Sequence, residues 1–362
     1  MAIDRRSFLQ LGLAACVVGP TRLFASGAGD PRLLSCCADR RGRHYAVLVD
    51  AAGQVIHRLA LPGRGHGIEL HPNRRCAAIF ARRPGDFLYV VDLETGQTTH
   101  RLTSPADRHY YGHGVFDPTG RLLYVTENAY ASGDGRIGIY DVADDYRRIG
   151  ELPSHGIGPH ELKLLGDGRT LVIANGGIRT HPDTPRAKLN LADMDPNLAY
   201  VDTADGRLLG AYRPPAQWHQ LSIRHIDVGI EDRVAVAMQF EGPREARPPL
   251  VALHQGEDHL PLLETPARLL EQMRNYCGSV RFDRSGRHFA VSSPRGGWVS
   301  FWDGASGRLL DQLARRDACG LAPTDRADGF WISDGNGAML AYPTGTHWEL
   351  AGFRWDNHLT LA

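Results

Sequence analysis

Acidic and basic side chains are equal in number, 41 of each in 362 residues, so no excess charge is available to hold nucleic acid or an acidic membrane surface. A hydrophobic content of 42% is enough for a full-sized core. The 41 glycines and 22 prolines are spread along the chain, which excludes long helices and favours short elements joined by tight turns.

The chain opens with Asp4-Arg5-Arg6-Ser7-Phe8-Leu9 and an apolar run to Val18. Paired arginines ahead of such a run form the twin-arginine export pattern, so residues 1–28 read as a signal peptide, cleaved near Ala25 or Ala28. Residues 29–362 are then the exported domain, expected in the periplasm. Leu13-Ala-Ala-Cys16 offers an alternative, lipid anchoring at Cys16. The run is too short to span a bilayer, and no later stretch approaches the roughly 18 apolar residues a spanning helix needs. Five cysteines remain after the signal, an odd number that leaves at least one thiol unpaired within the chain.

A repeated phrase follows. Arg64 to Leu102 divides into four short segments, "HGIEL", "CAAIFAR", "DFLYVVDLETG" and "QTTHRL", each of strand length and bounded by turn residues. His66, His113 and His160 stand at equal intervals at the heads of successive phrases, and His225, Cys277 and Cys319 head the next three. An aspartate turn closes the third segment at Asp92, Asp141, Asp202 and Asp303, with Asp50 as a further copy. The seventh phrase is split: "LLSCCADRRG", "HYAVLVD" and "QVIHRLAL" lie near the N-terminus, and "WDNHLTLA", headed by His358, supplies the missing segment. Seven four-stranded antiparallel units predict an all-β, seven-bladed β-propeller closed by pairing of the N- and C-terminal segments in one blade. A β-sandwich is the alternative, and the even spacing argues against it. One short helix is expected at "PARLLEQMRNY".

In a propeller the heads of the inner strands and the loops from second to third strands meet around one funnel. That places His66, His113, His160, His225, Cys277, Cys319 and His358 together as candidate ligands for iron, copper or zinc, with His113, His160 and His225 as the leading trio. Asn128, Asn175, Arg224 and Arg295 fall at the rim. The long segment 176–197 reads as a lid presenting Arg179, His181, Arg186 and Lys188, or else as a surface excursion. Arg179, Arg224 and Arg295 suit a carboxylate or phosphate, whereas the arginine pairs at Arg82 and Arg315 read as solvated turns. Glu127 and Glu161 are the acidic groups nearest the histidines and the weak candidates for a catalytic base. The competing reading of the histidines is architectural, each one bonding within its own blade as Gly-His pairs do in WD-type propellers. Cys36, Cys37 and Cys76 read as buried packing, and a Cys277–Cys319 disulfide is open. No nucleotide-binding or hydrolase signature occurs.

The stretches "HPNRRCAAIFARRPGDF", "YGHGVF", "GIGPHELKLL", "LVIANGGIRTHPD", "RAKLNLADMDPNLAYVD", "LSIRHI", "SSPRGG" and "WDNHL" carry a resemblance to a bacterial family catalogued as domain of unknown function 1513. The resemblance implies twin-arginine-exported seven-bladed propellers, often encoded beside imelysin-type iron-uptake proteins and dihaem cytochrome-like proteins. It therefore implies metal binding or handling linked to iron, or to copper, acquisition, with imelysin-type partners. Two other functions stand beside it: a metal-dependent enzyme, lactonase-like hydrolase or oxidoreductase, using the same funnel, and an interaction scaffold that holds no metal.

Overall fold

The computed structural model describes residues 31–362 apart from Pro185 and Arg186. The expected signal peptide, lipidation at Cys16 and the lid position of Arg186 lie outside the described residues.

Short β-branched and aromatic runs punctuated by Asp, Gly and Pro fold into seven antiparallel sheets. Blade 1 is Gly65–Leu70, Cys76–Ala81, Phe87–Asp92 and Thr98–Thr103; blade 2 is Arg108–Phe116, Leu122–Ala129, Gly135–Asp141 and Arg147–Pro153. Blade 3 is Pro159–Leu164, Thr170–Asn175, Asn197–Asp202 and Leu208–Tyr212; blade 4 is Leu221–Val228, Val234–Phe240 and Val251–His254. Blade 5 is Ser279–Phe282, His288–Ser293, Trp298–Asp303 and Leu309–Ala314; blade 6 is Ala318–Pro323, Phe330–Asp334, Ala338–Tyr342 and His347–Glu349. In blade 7 the inner strand Phe353–Leu361 comes from the C-terminus and pairs with Arg32–Asp39, which continues to His44–Asp50 and Val55–Leu61. The ring is thus closed by the two ends of the chain, and the inner strands neighbour one another all the way round.

Blade 4 departs from the expected four strands. Pro261 has no N–H to donate, and the chain there keeps only an isolated bridge, Ala252 to Leu262, in place of a regular edge strand. The predicted helix forms at Ala267–Met273 and buries Leu269 and Met273 against the core between blades 4 and 5. No described helix is long and apolar enough to cross a membrane.

The recurring aspartates act as turn staples. Asp92 Oδ1 accepts from the Thr95 backbone N–H at 2.7 Å, and Asp303 Oδ1 accepts from that of Ser306 at the same distance. The apolar faces pack between adjacent blades, for example Val172, Leu198, Ile223, Val236 and Val280 across blades 3 to 5. Packing therefore accounts for the sheets and leaves the axial ends of the inner strands free for polar chemistry.

The inner strands share a second feature. The pairing register of each histidine-bearing inner strand breaks at the histidine or just before it: between Gly65 and Ile68, between Tyr110 and Gly114, between Pro159 and Glu161, and between Ile223 and His225, where Arg224 is the residue left out of register. In blade 7 the break falls between Trp355 and Leu359, which brackets His358. A bulge releases a residue from the alternation of the strand and re-aims its side chain. Here bulges hold four of the imidazoles, and the fifth, His225, directly follows one.

Candidate metal centre

His66, His113, His160, His225 and His358 converge in one buried cluster, each at most 9% exposed. Ring centroids stand 4.5 Å apart for His66 and His358, 4.6 Å for His113 and His358, 4.7 Å for His160 and His225, and 4.9 Å for His66 and His113. Two sets of three place a ring nitrogen from each member within 4.8 Å of the others: His66, His113, His160, and His113, His225, His358. His113 belongs to both. The trio expected from the sequence, His113, His160 and His225, is divided between these sets.

Close approach of the rings depends on two glycines. A Cβ on Gly67 would stand 2.7 Å from His113 Nδ1, and one on Gly112 would stand 2.7 Å from His66 Cδ2. Gly112 also has φ +115°, which a side-chain-bearing residue rarely adopts.

Two carboxylates orient the rings from neighbouring blades. His66 Nδ1 lies 3.2 Å from Asp356 Oδ1 of blade 7, whose other oxygen pairs with Arg64. Glu161 of blade 3 accepts from His225 Nδ1 of blade 4 at 3.1 Å and from the Ile226 N–H at 3.3 Å. Its other oxygen lies 3.7 Å from His113 Nδ1 of blade 2 and 3.3 Å from Arg281. These bonds run between blades, so the architectural reading, in which each histidine bonds within its own blade, does not hold. With Nδ1 engaged by carboxylate, the Nε2 lone pair is the one left for a ligand, the arrangement found behind metal-bound histidines.

Burial dominates the ionisation of the cluster. It holds His66 down at about 4 despite Asp356, holds His113, His160 and His358 well below the ordinary value, and lowers His225. Burial alone would raise the Glu161 and Asp356 carboxyls. The facing His113, Arg281 and the His225 hydrogen bond hold Glu161 well below the usual range, and His66 with Arg64 does the same for Asp356. At neutral pH the site is five neutral imidazoles backed by two carboxylates. Four ring nitrogens, His113 Nε2, His160 Nδ1 and both of His358, are buried without a hydrogen-bond partner among the described residues. Each such orphan costs about 1–3 kcal/mol, and a metal ion removes that cost for each nitrogen it binds. The donor set fits a transition metal.

A cavity of about 150 Å³ adjoins the cluster. His66, His160 and His225 line it together with Arg82, Arg83, Lys188, Arg224 and Arg295, and Glu241 is the one carboxylate among the lining residues.

The family described as "Protein of unknown function (DUF1513)" matches residues 59–362. The chain belongs to this family. No curated protein matches the sequence of this DUF1513 chain. Among solved structures it is similar to hydrazine synthase of Kuenenia stuttgartiensis, with a TM-score of 0.60 and 14% identity over 92% of this chain and 100% of that one. It is also similar to a chain of the mitotic checkpoint complex, with a TM-score of 0.56 and 11% identity over 82% and 76% of the two chains. At these identities the likeness is one of fold.

The other site residues expected from the sequence are dispersed in the DUF1513 propeller. Cys277 is packed in the apolar core, its thiol facing the Leu250 carbonyl at 3.9 Å, and Cys319 faces Asp317 at 4.0 Å. Neither joins the two histidine sets, and both thiols are free. Burial raises the Cys277 thiol to about 12, which opposes the thiolate a metal requires. Glu127 is tied to Tyr140 at 2.8 Å and to Arg148 at 2.8 Å, a structural ion pair with no histidine in it. Asn175 bonds Ser154 and Asn197, and Asn128 is fully buried. Arg179 and His181 sit beside Gly133 and Tyr130 of blade 2, so among the described residues of the expected lid Lys188 is the one that reaches the cavity. Arg224 and Arg295 line it as expected; Arg82 and Arg83 line it too, from the half-buried turn that joins the second and third strands of blade 1. Sequence reading missed Asp356, although it stands two residues before His358 in "WDNHL", and missed Glu241.

The orienting carboxylates give a direct prediction. Asp356→Asn and Glu161→Gln are each expected to weaken metal binding by about 10- to 100-fold with the fold intact. Calorimetric metal titration alongside circular dichroism checks this; affinities equal to wild type would show the carboxylates to be bystanders.

Proposed function

We propose that this propeller is a periplasmic protein that binds and hands on a transition-metal ion at the axial histidine cluster, in the service of iron or copper acquisition. The observation that carries this reading is the convergence of five buried imidazoles into two overlapping sets whose ring nitrogens lie within 4.8 Å of one another. Neutral imidazole suits copper, zinc, iron and nickel, with copper favoured in intrinsic affinity among the divalent ions. The shared His113 limits the cluster to one ion per chain, since its free nitrogen has a single lone pair. Nitrogens bound at 2.0–2.1 Å to one tetrahedral ion stand about 3.3 Å apart, so the sets must contract by side-chain rotation on loading.

Binding rather than turnover is favoured by the state of the carboxylates. Glu161 and Asp356 are fully engaged in holding rings and arginines, which leaves neither as a free general base. The periplasmic setting is supported by the paired arginines ahead of an apolar run, and the link to iron by the imelysin-type neighbours of the family. The test is metal content: protein recovered from the export compartment, or stripped with chelator and reloaded with Cu(II), Zn(II) or Fe(II), is expected to retain one ion per chain after gel filtration. Retention of none of the three would overturn the reading.

A further inference from the structure

The cavity against the histidines carries a charge imbalance that the metal reading does not use. Arg82, Arg83, Lys188, Arg224 and Arg295 line it with a single carboxylate, Glu241. Glu241 is already shared: it pairs with Lys188 and lies 3.8 Å from Arg224 Nη2. Arg224 is only 4% exposed, and its Nε has no hydrogen-bond partner among the described residues. A buried guanidinium with an unfilled donor is costly unless an anion completes it. Arg295 lies over the Tyr276 ring at 4.0 Å and Arg83 over Tyr111 at 5.6 Å, so both are positioned by stacking and keep donors available. Lys188, Glu241 and Arg295 also line a wider cavity of about 770 Å³, where Arg244 and Arg274 continue the positive field outward and Arg247 pairs with Glu271 at 3.3 Å.

We infer that the inner cavity is a binding site for a small, multiply charged oxyanion, held by Arg224, Arg295 and Lys188 against the imidazole cluster. Arginine forks match carboxylate and phosphate oxygens in pairs, which suits this ligand class. The cavity of about 150 Å³ gives room for phosphate or a compact polycarboxylate. The inference deepens the metal reading at one point and rests on it there. A bare divalent cation approaching past these positive charges is repelled by them, so the ion reaches the histidines accompanied by an oxyanion. The anion site itself rests on the cations alone.

Calorimetric titration with citrate and with inorganic phosphate tests it, using chelator-stripped and zinc-treated wild type, Arg224→Gln, and the Lys188→Gln/Arg295→Gln double variant, whose side chains are more exposed. Metal content is measured on the same samples. Saturable binding of at least one anion by wild type, weakened tenfold or more in Arg224→Gln and in the double variant, is expected; the double variant keeps the test valid if Arg224→Gln does not fold. Citrate binding without phosphate binding assigns the site to polycarboxylates, and the reverse assigns it to phosphate. Absence of saturable binding of both anions in both wild-type preparations overturns the inference, as does affinity unchanged by the substitutions. Anion binding by protein that takes up no metal leaves this site standing and removes the metal reading; metal uptake without anion binding does the converse.

Discussion

His113→Ala is expected to abolish high-affinity metal binding in a single step. His113 is the member common to both histidine sets, so its removal leaves neither with three nitrogens. Loss of a carboxylate behind a ligand costs about 10- to 100-fold, so loss of the shared ligand is expected to cost more than about 100-fold. The fold should tolerate the change, because the ring contributes an orphaned Nε2 and only a 3.7 Å contact to Glu161. His259, exposed and remote from the cluster, supplies the control His259→Ala. Isothermal titration with Zn(II) or Cu(II) reads the difference, and an affinity within threefold of wild type would end the case for a shared centre.

Removal of residues 353–362 is expected to have the largest effect on folding. That strand is the inner member of blade 7, and without it Arg32–Asp39 presents an unpaired edge to the axis. Trp355 and Leu359, both nearly inaccessible, pack there with Val47 of the same blade and with Ala322 and Met339 of blade 6. Leu359→Ala alone is expected to cost about 2–5 kcal/mol and to lower the melting temperature while metal binding persists. The truncated chain is expected to lose cooperative unfolding and to aggregate, and a synthetic peptide of residues 353–362 supplied during refolding should restore it. A truncated chain that melts like wild type would show that blade 7 does not close the ring through its C-terminal strand. Asp356 and His358 lie on the same strand, so closure of the fold and completion of the histidine cluster are one event.

The sequence by itself determined the ring. Repeating strand runs, the aspartate turns and the split seventh phrase specify seven blades and their closure, because each is a local pattern that only this stacking buries. It also placed a histidine near the axial end of five inner strands. Tertiary structure alone decided which nitrogens meet. Four of the histidines lie in bulges and His225 directly follows one, and a bulge depends on pairing with the next strand, which leaves no periodic trace in the chain. Cys277 and Cys319 occupy similar positions in the repeat, yet Cys277 lies just ahead of its strand and Cys319 turns to Asp317, so neither thiol joins the imidazoles. Asp356 and Glu161 orient rings of neighbouring blades, and Arg82, Arg83, Lys188 and Arg224 are gathered from three blades around one cavity. Such partners are set by the rotation from one blade to the next, a long-range geometry that spacing along a single chain does not encode.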